Sequence, residues 1–384
     1  MAIETEMNTT MTDTYDAVFI PVIWDWRNII QLILAVVGIL GNSVVIHVYR
    51  RNREMKHNTT NTFIAALAAA DLITSISIIP HPRLSRVPQN GIGSFYCKVV
   101  WSSNIMWISI VASVITLTML AVERYIAVAY SFRYKQIFTI TKTRLIILGI
   151  WLFAFTLNTF GYYETFVVKE QCVHILPSIK FQMFLGCAVF IVEYLVPMII
   201  MLVTNIRTIQ LLNKQTRSFT RGKDATKGPA LKLIQARRRV VNMLFIVIVT
   251  FIICWSPDQF AFLAFNLGWV PFEYAFGPLY RAFVVLAFAN SCANPIIYTV
   301  MNRNFREAIA QQLPSMKCKS AEKGGTTNTL FETPLEDGDM KRADNGVVNA
   351  VGPSDSDEIS PTTSGTKSSY LETIEADRDN GTTL

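Results

Sequence analysis

The chain has 384 residues, 35 Lys and Arg against 28 Asp and Glu for a net charge of +7, and 51% hydrophobic against 16% charged residues. Soluble domains average about 25% charged residues, so this low share and a mean hydropathy of +0.33 argue against an ordinary soluble core. Six Cys at this length exclude a small disulfide scaffold, and 24 Phe, 7 Trp and 13 Tyr exclude a wholly disordered chain.

A helix crosses the hydrocarbon core with about 20 mostly apolar residues. Seven stretches qualify, at 28–48, 62–80, 99–122, 145–163, 181–206, 240–266 and 277–300. They hold few charges: Asp71, Glu193, Asp258 and Arg281. The expected fold is an all-α integral membrane protein, a seven-transmembrane helix bundle. Three domains are expected: an extracellular tail over 1–27, the bundle with a short amphipathic cytoplasmic helix over 28–312, and a disordered cytoplasmic tail over 313–384.

Orientation follows from Lys and Arg in short connectors. The first has Arg50, Arg51, Arg53 and Lys56; the third has Arg133, Lys135, Lys142 and Arg144; the fifth, 207–239, has ten bases and one acid, Asp224. These connectors are expected inside, which places the N-terminus outside and the C-terminus inside. Residues 1–27 carry five acids and one base, without the basic start and apolar core of a cleaved signal peptide. Asn8-Thr9-Thr10 is a glycosylation sequon on the outer side. Residues 322–384 have thirteen acids, five bases and many Ser and Thr, too polar to fold alone.

Short signatures fall on successive spans. The first span has Gly41-Asn42, the second Leu67-Ala68-Ala69-Ala70-Asp71, and the third ends in Glu123-Arg124-Tyr125. The fourth has Trp151 and the fifth Pro197. The sixth has Phe251 and Cys254-Trp255-Ser256-Pro257; the seventh ends in Asn294-Pro295-Ile296-Ile297-Tyr298, before an amphipathic stretch at 302–309. Together and in this order they resemble the rhodopsin-like (class A) G-protein-coupled receptors, most of all the neuropeptide-receptor group. The resemblance covers 28 to about 312.

Each signature also has its own physics. A charge at the membrane centre costs about 2.5–3.5 kcal/mol on insertion scales, so Asp71 needs partners. It is either hydrogen-bonded to Asn42 and Asn294, or, as the resemblance implies, one ligand of an allosteric sodium ion with Ser113, Asn290 and Asn294. No other cofactor is expected. Arg124 is either an interfacial snorkelling arginine or the family's switch, held by Glu123 when inactive and engaging the G protein when active; Tyr125, Asn294, Pro295 and Tyr298 belong to the same switch. Arg237, Arg238 and Arg239 stand where a second acid could have restrained Arg124 from the sixth span. Pro197, Pro257 and Pro295 remove helix hydrogen bonds and kink their spans. Beside Pro257, Trp255 and Phe251 are either core or an activation lever. The resemblance also implies a disulfide between Cys97 and Cys172. Cys318 is a palmitoylation candidate or an ordinary thiol.

The resemblance puts the ligand in the outer half of the bundle. Met106 stands where amine receptors carry an acid, and Phe288 where opsins carry the retinal lysine. Intramembrane acids are functional candidates, so Glu193 and Asp258 suggest a ligand with a basic group. The competing reading pairs Asp258 with Arg281 or Arg83. Trp107, Gln259, Phe260, Phe262, Tyr280, Arg281 and Phe283 complete a wide outer half suited to a peptide. The main expectation is therefore a peptide receptor at the plasma membrane that activates heterotrimeric G proteins. A receptor for a non-peptide small molecule, or a constitutively active one, is the alternative.

The basic fifth connector serves positive-inside topology and anionic-lipid attraction, or G-protein contact. Thr362-Thr363-Ser364 and Ser368-Ser369 are sites for receptor kinases and arrestin, and Thr382-Thr383-Leu384 for a PDZ-domain protein. No nucleic-acid partner is expected. An ion transporter or channel is the rival class, weakened by the lack of internal repeats. Enzyme activity is not expected: His47, His57, His81 and His174 lack metal-ligand spacing. Three positions depart from the family pattern. Cys97 precedes Arg124 by 27 residues, two more than usual; Asn205 stands for a usual Tyr; Ser131 stands for a common Pro.

Overall fold

The computed structural model describes residues 19–175, 178–220, 228–271, 277–301 and 303–312. Asn8, Cys318, the tail over 313–384 and its phosphorylation and carboxy-terminal motifs lie outside these residues.

Strand β1 (Phe19–Ile20) leads into helix α1 (Trp26–Arg51), so the first span starts inside the expected tail. Asp25 caps α1 by accepting from the Asn28 amide at 2.9 Å. The helix ends at Asn52, whose side chain caps the short α2 (Arg53–Lys56). Asn58 then caps α3 (Thr59–Ser77). Strand β2 (Arg83–Leu84) pairs antiparallel with β1.

The third span is not the single helix that 99–122 suggests. It comprises α4 (Gly91–Phe95), a π-helical turn (Tyr96–Trp101), a break at Ser103 in left-handed backbone (φ 55°), and α5 (Asn104–Ala129). A π turn closes i→i+5 bonds where an α turn closes i→i+4. The Ser102 amide bonds Cys97 O in that pattern. The π turn and the break at Ser103 both lie between Cys97 and Arg124, the interval that is two residues longer than usual.

The connector between the third and fourth spans carries α6 (Ser131–Ile137). The fourth span is α7 (Ile140–Leu157), followed by α8 (Phe160–Glu164). A hairpin of β3 (Thr165–Val168) and β4 (Gln171–His174) follows, turning at Lys169 and Glu170, both at positive φ. The fifth span is α9 (Ile179–Val189), a second π turn (Phe190–Leu195), and α10 (Val196–Thr220). The sixth is α11 (Gly228–Asn266) with Pro257 inside it; the seventh is α12 (Pro278–Met301) with Pro295 inside it, followed by α13 (Arg303–Gln312). The fifth and sixth spans therefore extend as helices well into the expected 207–239 connector.

Among the described residues, seven helices are long and apolar enough to cross a membrane. Their burial separates centre from rim. In the third span 72% of the apolar window is buried, against 17% in the fourth. Ile29, Ile33, Val36, Leu40 and Val44 of α1 are exposed along the bundle's outside. In water such a patch would be an association surface; in a bilayer it is the solvated face. The central α5 therefore carries Met106, Ser113 and Glu123 into the core.

Candidate functional site

Midway along the bundle, buried Asp71 accepts from Ser113 Oγ at 2.8 Å and from Asn294 Nδ2 at 2.8 Å, tying α3 to α5 and α12. Ser291 also reaches it, a neighbour the sequence reading missed. Asn42 does not. Its Nδ2 donates to Gly38 O and to Ser291 O, both at 3.0 Å. The cause is Pro295: without an N–H it leaves the carbonyl four residues earlier, that of Ser291, free, and Asn42 takes it. The glycine next to it permits this approach, since a Cβ on Gly41 would lie 2.8 Å from Pro295 Cβ. The side-chain oxygens of Asn42, Asn290 and Asn294 and the hydroxyl of Tyr298 are buried without a partner. Asn290 thus lies in the same layer without bonding Asp71. This oxygen-rich donor set suits a hard cation such as sodium.

At the end of the bundle expected to be cytoplasmic, Arg124 grips the neighbouring Glu123 through Nε and Nη2. Glu123 is fully buried, and Arg124 keeps a fifth of its side chain exposed. Three more donors converge on Glu123 Oε1: Thr59 Oγ1 at 3.1 Å, Thr60 Oγ1 at 3.1 Å and the Tyr134 hydroxyl at 2.6 Å. Arg124 Nη2 also donates to Tyr134 at 3.3 Å. Burial, and then the charge of Glu123, push the Tyr134 phenol up to about 12, so it stays a donor at physiological pH. Tyr125 stands apart, its ring against Tyr130 at 6.2 Å. On α11, Arg237 acts on Arg124 as a like charge; among the described residues no acid of that helix pairs with Arg124.

Toward the opposite end of the bundle from Arg124, Phe251 and Trp255 are buried on α11. Tyr194 packs on Phe251 at 6.1 Å, and its hydroxyl meets Ser256 Oγ at 2.5 Å, joining the π turn before Pro197 to the kink at Pro257. A narrow crevice lies beside them. Ile110, Val111 and Val114 form one wall; Glu193, Tyr194, Phe251, Trp255 and Gln259 complete it. Glu193 is half-buried and, among the described residues, has no hydrogen bond or ion pair. Trp255 Nε1 and Gln259 Oε1 are buried and unpartnered.

The other expected ligand residues are not gathered there. Asp258 is buried beside the crevice, and its bond is from Gln259 Nε2 at 3.4 Å. Among the described residues it forms no ion pair with Arg281 or Arg83, so the internal salt bridge is not present. Met106 is buried on α5; Trp107, Phe262, Tyr280 and Arg281 are half-buried elsewhere in the outer half. Phe260 points away: it is 56% exposed and packs on Phe190 and Tyr194. Cys97 and Cys172 are disulfide-bonded, with Cα atoms 5.4 Å apart, which pins β4 to the π turn of the third span. Val87 N donates to Glu170 O at 2.8 Å, holding the hairpin tip as well.

Residues 41–298 match the 7 transmembrane receptor (rhodopsin family). The chain belongs to this family. Its relatives include a QRFP-like peptide receptor of Branchiostoma floridae, 29% identical over 330 residues, covering 80% of this chain and 82% of that one. Galanin receptor 2b of Danio rerio is 30% identical over 288 residues, covering 73% and 72%. Melatonin receptor type 1C of Gallus gallus is 29% identical over 316 residues, covering 77% and 86%.

The receptor is thus a multi-pass membrane protein of a family whose function is G-protein coupling. Its sequence left five elements of the site unread: Thr59, Thr60 and Tyr134 around Glu123, Ser291 beside Asp71, and the hairpin of β3 and β4. The hairpin's turn, Lys169-Glu170, lacks the Gly or Asn that marks such turns. The only available signal was the β-branched run on one side of it.

Proposed function

We propose that this receptor binds an extracellular peptide carrying a basic group and answers by promoting nucleotide exchange on a heterotrimeric G protein. The observation that carries the reading is Glu193, a carboxylate without a protein partner in a crevice that abuts Trp255. An uncompensated acid inside a membrane bundle is costly, and a cationic ligand group offsets that cost where the lever stands. Peptide receptors among the relatives support the same reading. The melatonin receptor among them, with the narrowness of the crevice, favours a small-molecule ligand as the second reading.

The mechanism is a population shift. The network at Glu123 withholds Arg124 from the cytoplasmic face. A ligand in the crevice bears on Trp255 and Phe251, the kink at Pro257 transmits the movement along α11, and Arg124 is released. The unpartnered oxygens near Asp71 lie between the two ends. Asp71, Ser113, Asn290 and Asn294 would hold a sodium ion there, which supplies a positive charge that stabilises the closed packing. In this reading the receptor lies in the plasma membrane with its N-terminus outside and its C-terminus inside, an orientation the basic connectors support. Glycosylation at Asn8, palmitoylation at Cys318, receptor kinases and arrestin at the tail clusters, and a PDZ-domain protein at the last residues complete the reading. No chemistry is done on the ligand.

The test is a G-protein activation screen in cells with peptides bearing basic or amidated ends, using Arg124→Ala as control. A peptide whose response disappears in the control supports the reading. Silence across the library, with surface expression verified, overturns the peptide assignment; basal signalling above the control would then indicate constitutive activity.

A further inference from the structure

Gln259 follows Asp258 on α11. Its Nε2 is engaged by Asp258 Oδ2 at 3.4 Å. That bond fixes the amide so that Oε1 is the end turned away from Asp258, and this buried oxygen receives no donor. Gln259 lines the crevice; Asp258 does not. Glu193 enters from the opposite helix, on the π turn before Pro197. The Glu193 carboxyl and the Gln259 amide therefore line one narrow crevice from two spans, next to the aromatic Trp255 and Phe251.

A buried acceptor without a donor carries a desolvation cost, and more so a carboxylate. A group that relieves both must bring several N–H donors in different directions, carry positive charge and be thin. An ammonium is a compact, strongly hydrated point charge. A guanidinium is planar, presents five donors in a fixed fork, and lies against aromatic faces. We propose that the crevice is a guanidinium subsite in which Glu193 supplies the countercharge and Gln259 Oε1 the second acceptor. Asp258 is a positioning residue: it does not touch the ligand but holds the Gln259 amide with its oxygen toward it. This rests on the reading of the ligand as a basic one and narrows it to an arginine side chain or its equivalent.

The test uses the full-length receptor in nanodiscs and three probes: N-benzoyl-arginine amide, its lysine analogue, and its citrulline analogue, which keeps the shape without the charge. Apparent affinity is read from the rise in thermal unfolding temperature with probe concentration. The arginine probe is expected to stabilise at concentrations at least tenfold lower than either analogue. Glu193→Gln and Gln259→Leu should each weaken it at least tenfold. Asp258→Ala should weaken it about fivefold alone and add nothing in the Gln259→Leu background, since its effect passes through Gln259. If Glu193→Gln does not fold, the probe series and the Asp258–Gln259 cycle carry the test.

Equal stabilisation by the lysine or citrulline probe overturns the guanidinium assignment. Unchanged affinity in Glu193→Gln removes the countercharge. Additive losses in the cycle put Asp258 in direct contact with the ligand. No stabilisation by any probe up to its solubility limit rejects the subsite, and a basic peptide that still activates G proteins would then leave the receptor reading standing.

Discussion

The two ends of the bundle treat their acids in opposite ways. Glu123 is surrounded: one guanidinium, two threonine hydroxyls and a phenol saturate it. Glu193 has no partner among the described residues, and the polar groups beside it, Trp255 Nε1 and Gln259 Oε1, are equally unmet. A saturated network over-determines one geometry and holds it. An unsaturated one leaves free energy to be recovered by something from outside. The contrast is what a switch requires, with a closed latch at the inner end and an open demand at the outer end.

That contrast can be broken in graded steps. The largest effect belongs to Arg124→Ala, which leaves the fully buried Glu123 without its counterion; ligand-stimulated nucleotide exchange should disappear, and unfolding in detergent should move lower, by about 3–5 kcal/mol for a broken buried pair. Surface expression and a GTP-exchange assay together read this out, and retained stimulation would show that Arg124 is no part of the coupling.

Tyr134→Phe is next. It deletes the hydrogen bonds of the hydroxyl with Glu123, Arg124 and Thr59 Oγ1. At about 1 kcal/mol, the open population should rise about fivefold, seen as higher ligand-free exchange. Because burial and then the charge of Glu123 push the Tyr134 phenol up to about 12, the basal rate of the wild-type receptor should be flat between pH 6 and 8. A basal rate that climbs steeply over that interval would place a different group in the latch.

The smallest effect is at the outer hairpin. His174 stacks on Trp101 with ring centroids 4.8 Å apart, and its Nδ1 meets Thr165 Oγ1 at 3.2 Å. Burial holds its pKa below the ordinary 6.5. A group depressed in the folded state contributes its stability above the unfolded pKa and loses it as pH falls. The unfolding temperature should therefore be constant above pH 6.5 and drop slightly below it, and His174→Gln should flatten that slope. An unchanged slope in the variant would exclude His174.

The spans were readable because a bilayer demands long apolar segments, and no soluble fold explains seven of them. Their ends were not, because helices continue past the hydrocarbon once charged side chains can reach water; residues 207–220 are an instance. Asp71, Ser113 and Asn294 were legible by resemblance, and the structure brings them together. Asn42 was misplaced because the carbonyl freed by Pro295 competes for its amide, a tertiary effect with no trace in either local sequence. The partners of Glu123 escaped because Thr59, Thr60 and Tyr134 are ordinary residues on other elements, made significant only by where the helices bring them. The interval between Cys97 and Arg124 did carry a mark, its two additional residues, but an unusual spacing does not announce a π turn or a break at Ser103.

The central claim is that Glu123 holds Arg124 closed. It is tested most directly by ligand-free nucleotide exchange on purified heterotrimeric G protein, catalysed by nanodisc-reconstituted receptor, comparing Glu123→Gln with the wild-type chain. The neutral side chain keeps the shape and removes the charge. Basal exchange at least tenfold faster, abolished again by adding Arg124→Ala, is the expected result; equal basal rates in the two proteins would contradict it.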